Sequence, residues 1–119
     1  MGVVLSCSAD ALPGTAFLIC THELTVTAVS QAGERYFGRE RSVLGSPLLD
    51  LLSSPLGGEQ LARHATLAAQ WPAQPVVMPL RPAALARARR LGTLTARIAT
   101  CGPPQAALVS VEPSEFGRR

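Results

Sequence analysis

The stretch Val26-Thr27-Ala28-Val29-Ser30-Gln31-Ala32-Gly33-Glu34-Arg35-Tyr36-Phe37-Gly38 changes its period in the middle. Leu24, Val26 and Ala28 alternate with Thr25 and Thr27, the pattern of a strand with one buried face. Ser30 then supplies an oxygen suited to capping a helix, Glu34 adds acid to its first turn, and Gly38 is placed to end it after Phe37. Short helical pieces follow. Val43-Leu44-Gly45 closes one, and Leu48-Leu49-Asp50-Leu51-Leu52, entered at Pro47, forms another that stops near Ser53-Ser54-Pro55.

Toward the N-terminus, Thr15–Cys20 is an apolar, strand-sized run, and Thr21-His22-Glu23 joins it to the next strand as a hairpin. Toward the C-terminus, a longer helix is predicted over Gly58 to about Gln70. On its wheel Leu61, His64, Ala65, Ala68 and Trp71 share the arc expected to face inward. Val76–Arg81 is extended but carries Pro79, which cannot donate to a ladder, so it belongs at a sheet edge. Pro82–Leu91, rich in Ala and Arg, is a short helix or a loop, and Arg87, Arg89 and Arg90 there read as a solvated basic face. Gly92–Cys101 alternates, Gly102-Pro103-Pro104 turns the chain, and Gln105–Glu112 is the last strand. Two strands, helices, then three strands make an α+β fold around one antiparallel sheet.

The chain has 119 residues, 47% of them apolar and 16% charged, enough for one core. Its net charge of +3 comes from eleven arginines and no lysine, which removes P-loop phosphate binding and Schiff-base chemistry. Five aromatics without basic interleaving argue against nucleic-acid binding. No apolar run is long enough to cross a bilayer, and Met1–Ser8 has no charge ahead of its apolar patch, so a cytoplasmic protein without a secretory signal is expected. Cys7, Cys20 and Cys101 form no C-x-x-C pair and have no His at ligand spacing. They argue against zinc and against a disulfide framework, leaving Cys20 and Cys101 as small buried thiols. With no G-x-S-x-G elbow and no partner for Asp50 or Glu59, an enzyme is not expected.

The strand–cap–helix segment 26–38, with Val43-Leu44-Gly45 and Leu48–Leu52 behind it, resembles the PAS sensory domain family. In that family a strand runs into a helix ending in Phe-Gly, followed by a Leu-Gly turn and spaced leucines. This sequence departs from the pattern at Ser30, where the family has Asn, and at Val111-Glu112-Pro113, which replaces the Asp-Ile-Thr exit. The resemblance implies a PAS-like five-stranded antiparallel sheet of order 2-1-5-4-3, with short helices on one face, over a single domain spanning 14–115. Residues 1–13 form a lead-in and 116–119 a tail. Ser8–Leu12, too short and apolar to stand alone, is expected to pack on the sheet or on a second copy.

The resemblance further implies a regulatory module of a signalling protein that binds a small molecule and relays the change through homodimer contacts to a downstream effector. The pocket candidates are Val26, Ala28, Leu48, Leu51, Leu67 and Val77, with His64, Arg81 or Arg97 supplying polar contacts. A ligand-free fold kept for dimerisation or docking is the alternative. A haem-based gas sensor with His64 as axial ligand is a second one. Covalent flavin chemistry is excluded, because no cysteine lies between residues 21 and 100.

Overall fold

A computed structural model describes residues 14–55, 57–71, 74–102 and 105–113; the lead-in and the tail lie outside this part. The elements are β1 (Ala16–Cys20), β2 (Val26–Val29), α1 (Glu34–Phe37), α2 (Glu40–Val43), a 3-10 turn (Leu48–Asp50), β3 (Leu52–Ser53), α3 (Gly58–Gln70), β4 (Val76–Pro82), α4 (Leu85–Leu91), β5 (Leu94–Cys101) and β6 (Ala106–Pro113). They form one antiparallel sheet of order β2-β1-β6-β5-β4-β3.

The sheet therefore has six strands, which corrects the expected five. The addition is the two-residue β3, where the predicted helical turn over Leu48–Leu52 runs out early and Leu52 and Ser53 pair with Pro82 and Arg81. Without it, the order is the expected one. β3 covers only the end of β4, so Val76–Leu80 lies at the sheet margin, where Pro79 withholds no needed donor.

Alternation sorts each strand into two faces. Ala16, Leu18 and Cys20 of β1, Met78 and Leu80 of β4, Leu94, Ala96 and Ile98 of β5, and Ala107, Val109 and Val111 of β6 enter the main core. Phe17, Ile19, Cys101, Ala106 and Leu108 point the other way and form a smaller cluster. β2 breaks the simple alternation. A bulge lets Cys20 face Val26 while Ile19 faces Ala28 and Leu18 faces Val29, so Thr27 is the inserted residue. Val26 and Val29 thus share the core side, and Ala28 turns to the opposite face, correcting its sequence-based placement beside Val26.

The hairpin before β2 closes with Leu24 at φ 65°, a left-handed conformation unusual for a branched residue. Thr21 holds the turn: its N–H donates to the Thr25 carbonyl, its carbonyl accepts from Leu24 N–H, and its Oγ1 accepts from Glu23 N–H at 3.2 Å.

Ser30 stands in the turn ahead of α1, whose N-cap is Gly33, and so is not the cap residue expected from sequence. Its Oγ accepts from the N–H groups of Phe17 and Gly33, each at 2.9 Å, and donates to the Thr15 carbonyl at 2.8 Å. One hydroxyl thereby ties the entry of α1 to β1. Gly33 sits in the tightest part of this junction, since a Cβ there would stand 2.8 Å from the Phe17 carbonyl oxygen. The Glu34 carboxylate, on the first residue of α1, reaches forward to accept from Glu40 N–H at the start of α2.

Cys101 is disulfide-bonded, correcting its reading as a thiol, whereas Cys20 is a free thiol in the core. Residue spacing carries little information about which distant segments a fold brings to a cysteine, so pairing was not readable from it.

Candidate ligand-binding site

α3 lies across the inner face of β5 and β6 and bounds the interior. Leu61, Ala65, Ala68 and Ala69 are its buried residues. Their small side chains bring the helix close to Ala96 and Ala107 of the sheet, both buried in the same core. Thr100 fixes its far end: the buried hydroxyl lies within hydrogen-bond reach of the carbonyls of Ala68, at 2.6 Å, and Trp71, at 3.0 Å.

The buried arc is rotated from the expected one. Ala69 takes the inward position, His64 is half-buried on the flank, and Trp71 is 65% exposed beyond the helix end. This corrects the inward placement of Trp71.

Among the pocket candidates, Val26 and Leu48 are fully buried in the main core and Leu51 packs against it. The Leu48 N–H donates to the Leu24 carbonyl at 2.7 Å, and Val26 N–H to the Ser46 carbonyl, so these two lie side by side. Leu67 is exposed on α3. Val77 and Arg97 face each other across β4 and β5, and both are exposed on the side of the sheet away from the helices. Arg81, also exposed, donates from Nε to Thr93 Oγ1 at 3.3 Å. The structure thus gathers Val26, Leu48 and Leu51 with the flank of α3 on one side. It puts Ala28, Val77 and Arg97 on the other.

His64 stands beside Leu61 and Ala65, which press directly on the sheet. Among the described residues, no group of His, Cys, Asp or Glu is arranged to hold a metal ion.

Two open grooves are lined by described residues. One, of about 580 Å³, lies where β1 and β6 meet the entry of α1, between Thr15, Ala16, Gln31, Arg35, Tyr36 and Glu112. Sequence reading missed it, since its walls come from three separated segments. The available signal was Ser30, whose bonds bring two of them together. The other groove, of about 450 Å³, crosses the outer face past Val77, Thr95, Arg97 and Glu112.

Burial pushes the Cys20 thiol from its ordinary 9.0 up to about 12. From about pH 9 upward the unfolded chain releases this proton and the folded chain keeps it, so the stability tied to Cys20 is constant below that pH and falls above it. Denaturation midpoints measured at about pH 8 and about pH 10.5 are expected to drop more for the native chain than for Cys20→Ala. Equal drops would mean the thiol ionises freely in the fold.

By sequence, no protein-family model matches the chain and no curated protein does. The fold, however, superposes on the PAS domain of the RpfR quorum-sensing receptor of Cronobacter turicensis in complex with BDSF, with a TM-score of 0.65 at 15% identity, over 88% of this chain and 98% of that one. The chain has a PAS fold. The same Cronobacter domain in complex with C12:0 gives a TM-score of 0.62 at 15% identity, over 87% of this chain and 95% of that chain. The PAS domain of nitrogen regulation protein NR(II) from Vibrio parahaemolyticus gives 0.60 at 16% identity, over 86% and 91%. Within this PAS fold, α3 is the long helix over the sheet, and Ser30 Oγ accepts from Gly33 N–H in the turn ahead of α1. No helix among the described residues is long and apolar enough to cross a membrane.

Proposed function

We propose that this PAS fold is a sensory module of a signalling protein, without catalytic activity of its own, that takes a small apolar molecule between the inner face of its sheet and α3. The supporting observation is the likeness to a PAS domain matched over 98% of its length and carrying BDSF. Val26, Leu48 and Leu51 supply apolar wall on the helix side, and His64 is the one pocket candidate there able to donate a hydrogen bond. Arg81 and Arg97 face outward, so in this reading they contact a partner or a second copy. A ligand acts only through the conformation it binds better, and the change would pass through the sheet to a homodimer partner and a downstream effector.

A second reading keeps the fold as a ligand-free dimerisation or docking module. It is favoured by the fully buried Leu48, Leu61 and Leu94 and by the close seating of α3 on alanines.

Thermal unfolding of the purified chain with C12:0, together with mass spectrometry of co-purifying molecules, separates the two. A ligand at about a hundred times its Kd adds about 2.7 kcal/mol, a shift of several degrees in Tm. His64→Ala is expected to shrink that shift. No shift and no co-purifying molecule, from a chain that runs as a dimer, would leave the docking module.

A further inference from the structure

Four polar side chains converge on the groove of about 580 Å³ where β1 and β6 meet the entry of α1, and among the described residues no hydrogen bond or ion pair holds any of them. Gln31 and Arg35, four residues apart, line the helix side, and Glu112 of β6 lines the sheet side. Arg35 and Glu112 thus border one groove with opposite charges and do not bridge it. The neighbouring Glu34 offers Arg35 no relief, since its carboxylate is committed to Glu40 N–H at 2.9 Å. Tyr36 is the fourth. It is only 8% exposed and belongs to the main core, yet its hydroxyl has no partner among the described residues. No buried side-chain oxygen there is left unsatisfied, so this hydroxyl is the part that reaches solvent, at the groove Tyr36 lines. A phenol held in the core by its ring, with its oxygen in the open, is a donor fixed in place.

The walls are fixed relative to each other. Ser30 Oγ donates to the Thr15 carbonyl and accepts from the N–H groups of Phe17 and Gly33, which seats the Gln31–Arg35 turn beside β1. Ala16 pairs with Val111, which sets Glu112 on the sheet side of the same groove. We propose that this groove is a second binding site, separate from the interior one, for a small zwitterion: a carboxylate, an ammonium and an apolar body, as in a free amino acid or a short peptide. The carboxylate accepts from the Arg35 guanidinium, with the Gln31 amide and the Tyr36 hydroxyl as further donors, and the ammonium donates to the Glu112 carboxylate. The body rests on Ala16 and Val111, both buried in the floor. A simple anion answers Arg35 but is repelled by Glu112, and a simple cation meets the reverse. Only a molecule carrying both charges satisfies the two walls.

Bound there, the molecule joins α1 to β6 at Val111-Glu112-Pro113, the place where this chain departs from the family pattern. The site calls on neither His64 nor Leu48, so it does not depend on the interior being open to a ligand.

Isothermal titration of the full chain with alanyl-leucine, and with the same dipeptide N-acetylated or amidated at its carboxyl end, tests this. The free dipeptide is expected to bind, and each capped form at least about tenfold more weakly, the loss of one charge-assisted contact. In Glu112→Gln the free and N-acetylated forms are expected to bind alike, and in Arg35→Gln the free and amidated forms. Both residues are exposed, so these variants fold whether or not the inference holds. Tyr36→Phe keeps the ring and is expected to weaken the free dipeptide by about threefold to tenfold. Leucine, titrated in parallel, distinguishes the source: tighter binding than alanyl-leucine, with the same dependence on both charges, assigns the groove to a free amino acid. No heat from either zwitterion up to several millimolar, capped forms that bind as well as the free one, or a preference that survives in the variants would each overturn the inference. The shift in Tm with C12:0 decides the interior reading by itself, so the two can fail separately.

Discussion

Leu61→Ala is expected to lower the unfolding free energy by about 2 to 5 kcal/mol, because the methyl groups it removes leave a hole that the alanines around it cannot close. Leu61 is fully buried where α3 meets the sheet, and its neighbours on the helix, Ala65, Ala68 and Ala69, have no length with which to refill the space. For a chain of this size the loss corresponds to roughly 8 to 20 °C in Tm. Far-ultraviolet circular dichroism in a denaturant series is the suitable readout. The sole tryptophan, Trp71, is 65% exposed and senses little of the packing. An unchanged slope with a lower midpoint would identify lost packing. A loss under about 0.5 kcal/mol, the size of a surface substitution, would mean α3 is not docked as described.

Gly33→Ala tests the junction at Ser30 by setting two opposed effects against each other. Alanine gains about 0.5 to 1 kcal/mol over glycine in helical backbone. At Gly33, though, the new methyl meets the Phe17 carbonyl at 2.8 Å and Ser30 Oγ at 3.0 Å, both held by the hydrogen bonds that join α1 to β1. Overpacking against fixed groups costs about 1 to 3 kcal/mol, so the net effect is a loss. Gly58→Ala is the control: its Cβ meets nothing within 4 Å, and a gain of up to about 1 kcal/mol is expected. Chemical denaturation of the pair should therefore move in opposite directions. Gains at both positions would dismiss the close approach at Gly33.

These two sites also mark what could be read from the chain. The switch of period at Ser30, the helix over Gly58–Gln70 and the marginal strand around Pro79 were legible because each depends on local rules: an alternation that ends, a periodic wheel, a missing donor. Strand order followed from the element sequence and the family pattern together. The bulge at Thr27 was not legible, since a period-two pattern carries no mark of an inserted residue, and Ala28 was assigned to the wrong face as a result. On α3 the wheel placed Leu61, Ala65 and Ala68 inward, as they are, but not Ala69, and it carried the arc on to Trp71, which lies past the helix end and is exposed. Val77, Arg81 and Arg97 were gathered with Val26 and Leu48 by the family pattern, while strand alternation sends the first three outward. The disulfide at Cys101 and the groove beside Ser30 arise from tertiary closure and have no local signature.

The prolines at the sheet's two margins have a consequence for how the chain behaves in a crowd. Pro47 bridges to Thr25 just ahead of β2, and Pro79 sits midway along the stretch of β4 that β3 leaves uncovered. A stray polypeptide trying to extend the ribbon at either flank meets a residue that offers no N–H to grip. Growth by strand addition at those two places is thereby disfavoured.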